Sequence, residues 1–151
     1  MQLATRLATL ELTDDPAGAR AARRVVRELL DVIPRPDYAS DALVVTSEVV
    51  SNALQHGSGR RRLIASFEPL RGRLTVAVGD ESSVLPVRMR IPSNDLGGRG
   101  LRIVELLATR WGIRFLGLTE LDQNIDEPFT KWVWFELDPH PVRASRLIHH
   151  G

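Results

Sequence analysis

The sequence contains no cysteine, and this absence removes two classes of site. Without thiols the chain has neither a disulfide framework nor a thiolate metal centre. Long apolar runs are also missing, so we expect no membrane span, and residues 1–6 lack the apolar core of a signal peptide. We therefore expect a cytoplasmic protein that does not associate with a membrane.

An excess of charge of either sign is missing as well. The formal net charge is +1, so bulk electrostatics give no reason to expect direct binding of nucleic acid. The basic run at residues 60–62 has no aromatic residue between its arginines, and we interpret it as a solvated turn. Function must therefore be sought in local motifs rather than in the overall charge.

The length and the hydrophobic pattern predict one domain. A chain of 151 residues buries a sizeable core. We expect residues 1–138 to form this domain and residues 139–151, which hold two prolines and three histidines, to form a flexible tail. Alternating and helical periodicities predict strands at 3–12, 62–69, 73–79, 111–116 and 131–137, and helices at 17–33, from a cap at Ser40 to Gly57, and at 101–109. Asp-Asp-Pro at residues 14–16 is typical of a helix start, and Ile33 of the first helix is expected to point inward. This order predicts an α+β two-layer sandwich, with a mixed, mostly antiparallel sheet of about five strands and three helices on one face.

Residues 47–57, Ser-Glu-Val-Val-Ser-Asn-Ala-Leu-Gln-His-Gly, form the first motif. Helical spacing places Glu48 and Asn52 one turn apart on a polar stripe, opposite an apolar arc. A carboxylate and an amide in this arrangement suit Mg²⁺ or a water held near a phosphate. The same pair on an ordinary solvated helix face is the alternative.

Residues 97–104, Gly-Gly-Arg-Gly-Leu-Arg-Ile-Val, form the second motif. Glycines that lead into a helix expose backbone N–H groups at its positive end, which is a site for anions such as phosphate. A flexible loop before a helix is the alternative. Residues 83–98, which precede the helix, are irregular in sequence and have the position of a lid.

Taken in order, these features resemble the GHKL ATPases, which include gyrase, histidine kinases, the heat-shock chaperone and the mismatch-repair ATPase. The shared order is Glu-x-x-x-Asn on a helix, an Asp at a strand end (Asp80) and Gly-x-Gly-Leu opening another helix. The first motif, Gly-Arg-Gly-Leu-Arg-Ile-Val and Trp-Val-Trp-Phe-Glu-Leu are similar to single-domain bacterial anti-sigma factor serine/threonine kinases of the actinobacterial type. The resemblance covers about residues 4 to 138.

The resemblance implies an enzyme that uses ATP and Mg²⁺ to phosphorylate a serine of an anti-anti-sigma-type partner. Glu48 would accept the proton of the attacking hydroxyl, Asn52 would hold Mg²⁺ and ATP, and Asp80 would read the adenine N6 amine. His56 would either support the residue that holds the metal or cap the end of the helix. The phosphates would be held by Gly98, Arg99, Gly100 and Leu101. The partners would be a sigma factor, an anti-anti-sigma protein or both, with a second copy of the chain as a further candidate.

Two departures from the family pattern support a second interpretation. The family's Asp-x-Gly-x-Gly is Asp-Glu-Ser-Ser-Val at residues 80–84, so Ser82 and Val84 replace glycines. Its Gly-Lys-Thr is Thr-Lys-Trp at residues 130–132, and we expect Trp132 to pack in the core. These changes favour a module that binds nucleotide and sequesters a sigma factor or another partner without kinase activity. The retained Glu48 and Asn52 favour the kinase.

Overall fold

The computed structural model describes residues 4–82, 99–115 and 129–140. Its helices and strands, numbered in chain order, are β1 (Arg6–Glu11), α1 (Pro16–Leu29), α2 (Ala39–His56), β2 (Arg62–Glu68), β3 (Arg73–Asp80), α3 (Arg99–Leu107), β4 (Arg110–Phe115) and β5 (Lys131–Leu137). The predicted α+β class, with five strands and three helices, is confirmed.

The five strands form one sheet in the order β1-β2-β3-β5-β4. Each neighbouring pair of these strands is antiparallel, so the expectation of a mixed sheet is wrong for the described residues. β5 is inserted between β3 and β4, because the chain leaves β3 through α3, forms β4 and then turns back. The last three strands therefore bring residues from distant parts of the sequence to one end of the sheet.

Alternation along the strands directs one set of side chains to the helices. Residues such as Leu63, Val76 and Phe135 share a single buried cluster with Val49 of α2 and Val104 of α3. α1 packs over β1 and β2, α2 over β3 and β5, and α3 beside α2 over β4. α2 is consequently the central helix of its layer.

The first helix begins where the sequence indicates but ends earlier than predicted. The Asp15 carboxylate accepts a hydrogen bond from the Ala17 N–H at 2.9 Å, with proline in the first turn. The helix ends at Leu29 instead of residue 33, and Ile33, predicted to point inward, is fully exposed. Pro34 disfavours helical geometry at the residue before it, so the chain turns away before Ile33 reaches the core.

α2 begins at Ala39, and the prediction that Ser40 caps it is wrong. Tyr38 occupies the cap position without a side-chain cap, and Ser40 lies in the first turn. Tyr38 is buried instead, and its hydroxyl donates to the Gly72 carbonyl at 2.5 Å. Burial raises the pKa of this hydroxyl. An aromatic anchor thus holds the start of the helix at the β2–β3 turn.

At the end of the sheet that contains the β2–β3 turn, four charged side chains join β3, β4 and β5. Asp138 accepts hydrogen bonds from Arg73 at 2.7 Å and from Arg110 at 2.5 Å. Arg110 also donates to Glu136 at 2.7 Å. The hydrogen bonds from Arg73 and Arg110 hold the pKa of the Asp138 carboxyl below its ordinary value. We call these four residues the charged ladder.

The region predicted as a flexible tail is described only at its first two residues. Pro139 lies against Gly72, and His140 Nδ1 lies 3.4 Å from an Asp37 carboxylate oxygen. Residues 141–151 lie outside the described residues. None of the helices that the structure describes is both long enough and apolar enough to cross a membrane.

Candidate functional site

The end of α2 lies directly against the end of β3. At Gly57, the residue after the helix, a Cβ atom would come within 2.7 Å of the Asp80 Oδ2 oxygen, so only glycine allows this approach. The contact continues along the chain, because the Glu81 N–H donates to the Ser58 carbonyl at 2.9 Å. Two regions that the sequence predicts for the site, the helix motif and the strand-end aspartate, are therefore in contact.

Arg61 fixes the turn after α2, and its interpretation as part of a solvated turn is wrong. Its guanidinium donates to the carbonyls of Ala53 at 3.0 Å and Gly57 at 3.1 Å. A cation is favoured at the carbonyl end of a helix by the helix dipole, and this side chain is only 10% exposed. Arg61 thus holds the segment that contacts Asp80.

Asp80 forms a buried ion pair with Lys131, the only lysine of the chain. The Lys131 Nζ lies 3.5 Å from Asp80 Oδ2, and the two side chains are 3% and 2% exposed. The other carboxylate oxygen, Oδ1, accepts a hydrogen bond from the Ser82 N–H at 2.6 Å. Both residues alternate in phase with inward apolar residues of their strands, so the pair lies on the helix side of the sheet.

Glu48 and Asn52 lie on the edge of α2 that faces α3. Arg23 of α1 donates to the Ser47 hydroxyl at 3.0 Å, which marks the edge that faces α1. Residues 48 and 52 lie about 100° and 140° around the helix axis from Ser47, on the other side of the solvent-exposed surface of α2. Asn52 is 8% exposed and Glu48 is half-buried. His56, the last residue of α2, is exposed.

Neither Glu48 nor Asn52 has a side-chain hydrogen bond or an ion pair within the described part of the chain. An amide as covered as that of Asn52 ordinarily has a partner, since burial without one is costly. These residue types therefore meet the first requirement for binding a ligand or a cation, which is unused hydrogen-bonding capacity at a covered position.

The start of α3 lies at the same end of the sheet. The Thr109 N–H, just after the helix, donates to the Glu136 carbonyl near the end of β5. The strand that follows, β4, runs back along β5 until Phe115 pairs with Lys131. From the position of its end near Glu136 and its packing on α2 and β4, we infer that α3 begins toward Lys131 and Asp80. The positive end of the α3 dipole thus points to this region.

Only some of the residues predicted to bind phosphate lie in the described part of the structure. Leu101 is 5% exposed and lies within α3. Arg99 and Gly100 belong to the first turn of α3. The helix therefore begins two residues before the predicted start at Leu101. Gly98 and the predicted lid, residues 83–98, lie outside the described residues.

Trp132 lies on the face of the sheet that the helices do not cover. Its ring packs over Gly79, where a Cβ atom would come within 2.9 Å of three ring atoms, and edge-on against Phe129 at 5.5 Å. Trp132 is 1% exposed, in agreement with the expected packing role. The Arg62 guanidinium lies 4.8 Å from the Phe129 ring centre, so Arg62 is not part of a solvated turn.

The sequence analysis did not predict that Lys131 is buried and paired with Asp80, although the alternation of β5 indicates it. Lys131 alternates in phase with Val133, Phe135 and Leu137, which all point into the core. A lysine at an inward strand position requires a buried partner. Asp80 has the same relation to Val78, so the two phases together indicate the pair.

Comparison with known proteins leaves the family open. No family model matches the chain, and no curated protein matches it.

Among the described residues, no group of three or more histidine, cysteine, aspartate or glutamate side chains is placed to hold a metal ion.

Proposed function

We propose that this chain is an ATP-binding regulatory protein of the GHKL type that transfers the γ-phosphate of ATP to a serine of an anti-anti-sigma-type partner. The supporting observation is the convergence of three separate motifs at one end of the sheet. Gly57 at the end of α2 contacts Asp80 at the end of β3, and the paths of α3 and β4 imply that α3 begins at the same end. An ordered set of motifs supports a common site more strongly when its members meet in space.

The base of ATP is assigned to Asp80. Its Oδ1 oxygen accepts one hydrogen bond from Ser82, and a carboxylate has further acceptor positions. The phosphates are assigned to the start of α3, with Arg99, Gly98, Gly100 and Leu101, because a helix N-terminus attracts anions. The distance between the two ends of the nucleotide is then spanned by the edge of α2 that carries Asn52.

Asn52 fits the role of a Mg²⁺ ligand. The residue is 8% exposed, and its amide has no hydrogen-bond partner in the described residues, so its oxygen can accept from or bind a ligand. When bound, Mg²⁺ supplies charge neutralisation at the phosphate oxygens. His56 follows one turn later on the same helix, where it either supports Asn52 or caps the helix end.

Glu48 is the proposed general base. It lies one turn before Asn52 on the same edge of α2, half-buried and without a described partner. Its carboxylate would accept the proton of a partner's serine hydroxyl as that oxygen attacks phosphorus. The phosphoryl group moves to the serine oxygen, the proton moves to Glu48, and ADP leaves with the remaining charge.

A nucleotide-binding module that sequesters a sigma factor or another partner without catalysis is the second candidate. It is favoured by Trp132, which packs on the opposite face of the sheet and therefore cannot replace the threonine of the family pattern. Ser82 also lacks the backbone freedom of the glycine that it replaces, because its Cβ atom disfavours conformations with positive φ that glycine adopts readily.

Two measurements separate these candidates. Titration calorimetry with ATP, with and without Mg²⁺, is expected to show binding that Mg²⁺ strengthens. Radiolabelled phosphate transfer to candidate anti-anti-sigma partners is then expected to label serine. Binding without transfer to any partner would favour the sequestering module, and the absence of both heat and thermal shift at millimolar ATP would refute both candidates.

A further inference from the structure

Lys131 has more hydrogen-bonding capacity than the described structure uses. An ammonium group has three N–H donors. Among the described residues its one partner is Asp80, whose Oδ2 lies 3.5 Å from Nζ, beyond ordinary hydrogen-bond length. The side chain is nevertheless 3% exposed. A buried cation whose donors are not all used by the described residues is suited to donate to a ligand.

The backbone around Lys131 holds this spacing in place. The Thr130 N–H donates to the Asp80 carbonyl at 3.0 Å, and the Thr130 hydroxyl donates to the Ser82 carbonyl at 2.9 Å. Asp80 and Lys131 are also directly opposite each other in the β3–β5 pairing. The acceptor and the donor are thus fixed side by side by two strands rather than carried on a loop.

A neighbouring acceptor and donor match one edge of adenine. The N6 amine of adenine donates and the adjacent ring nitrogen N1 accepts, and both can be reached by partners 3.5 Å apart. Guanine carries the reverse pattern, an oxygen acceptor at position 6 and an N–H donor at N1. In the same orientation, the acceptor oxygen of guanine would lie against the acceptor Asp80, and its N1–H donor would lie against the donor Lys131.

We propose that Lys131 is a second base-reading residue, which donates to adenine N1 while Asp80 accepts from the N6 amine. This inference rests on the proposed function, because it requires that ATP bind at the Asp80 end of the sheet. Burial of both side chains makes the site selective: a ligand that reaches them is enclosed, so a mismatched edge cannot be compensated by water. Lys131 is consequently a determinant of adenine specificity in addition to a counter-ion.

The first test uses the wild-type protein and an ATP analogue. In 1-deaza-ATP a C–H group replaces N1 while the N6 amine is retained. Because a hydrogen bond to a charged group is lost, we expect the affinity to fall about tenfold or more relative to ATP. If the wild type binds 1-deaza-ATP as tightly as ATP, the inference is overturned while the proposed function stands. If the wild type does not bind ATP, both are overturned.

The second test attributes the loss to Lys131. Lys131→Met should bind ATP and 1-deaza-ATP with affinities within about twofold of each other, because the interacting group is already absent. A persistent tenfold preference for ATP would assign N1 to another donor and overturn the proposal. Since the variant leaves Asp80 without its counter-ion, Asp80→Asn/Lys131→Met, which has no unpaired buried charge, serves as a second background. Melting curves verify that each variant is folded.

Discussion

The two ends of the sheet treat charged residues in opposite ways. At the β2–β3 turn and beyond the end of β5, the four residues of the charged ladder join β3, β4 and β5 through short hydrogen bonds while remaining partly exposed. At the other end, Asp80 and Lys131 are almost completely buried and lie 3.5 Å apart. Asn52 and Glu48 have no described side-chain partner.

Under the proposed function, we interpret this difference as one between a structural end and a ligand-binding end of the sheet. Exposed and mutually satisfied pairs cost little to maintain and contribute little individually. Buried groups with unused donors or acceptors cost folding stability, and proteins retain such groups mainly at sites of function. The contrast is open to direct test, because equivalent substitutions at the two ends should have unequal effects on chemistry, stability and pH dependence.

The largest expected difference concerns Glu48. Glu48→Ala should lower the rate of phosphate transfer to a partner's serine by about 10²–10⁴, because the proposed general base is removed. ATP affinity should remain within a few-fold, since Glu48 is assigned neither to the base nor to the metal. Single-turnover transfer and calorimetry measure the two effects. Glu28→Ala, an exposed carboxylate on α1, is the matched control and should change neither. Equal transfer rates for both variants would exclude Glu48 as the base.

The next difference concerns the stability of the ion pairs. Lys131→Met should lower the free energy of unfolding by about 3–5 kcal/mol, because it leaves the buried Asp80 carboxylate without its counter-ion. Arg110→Met, within the charged ladder, should cost about 1 kcal/mol or less, because its side chain is 43% exposed. Urea unfolding of the two variants and the wild type compares these values. Similar losses at both ends would remove the energetic contrast.

A smaller effect is expected at the contact between α2 and β3. Gly57→Ala would place Cβ within 2.7 Å of Asp80 Oδ2 and 2.6 Å of the Ala53 carbonyl. We expect a loss of about 1–3 kcal/mol in stability, typical of overpacking, together with weaker ATP binding because Asp80 is displaced. Ser58→Ala, at the exposed next position, is the control. Unchanged melting and affinity in Gly57→Ala would show that this approach is not required.

The smallest effect concerns pH and belongs to the charged ladder. The folded pKa of Asp138 lies below its unfolded value, so its stabilisation is present above about pH 3.9 and is lost as the pH falls through the folded pKa. We expect Asp138→Asn to lower stability at pH 7 by about 1 kcal/mol or less, and the difference from the wild type to shrink by pH 3. Urea midpoints at both pH values measure it. A difference that grows on acidification would reverse the assigned sign.

Local patterns predicted the elements well and their ends less well. Proline and aspartate at residues 15–16 marked the start of α1 because their effects are local. The start of α2 was misplaced because Tyr38 is held by a hydrogen bond to Gly72, which is distant in sequence. The same reason applies to Arg61. It lies in a run of three arginines, and nothing in that run indicates its hydrogen bonds to the end of α2. Tertiary contacts of this kind have no short-range signature.

For the candidate site, the motifs indicated Glu48, Asn52 and Asp80 as candidates, but they indicated neither Lys131 nor the contacts among these residues. Alternation in β3 and β5 was sufficient to place Asp80 and Lys131 on the same face as the helices. Their adjacency depended on the pairing of β3 with β5, which skips β4 in the sequence order. The approach of Gly57 to Asp80 depended on helix packing and could not be obtained from the pattern.

The stacking of Trp132 on Gly79 also has an evolutionary consequence. A side chain at position 79 would collide with the indole, so substitutions at the two positions cannot be accepted in arbitrary order. Position 132 must first change to a smaller residue, and only then can position 79 diverge from glycine. Gly112 and Trp134 form a second, looser pair, in which a Cβ atom would lie 3.1 Å from the indole. Divergent sequences that share this fold should therefore show covariation between strand glycines and the aromatic residues of β5.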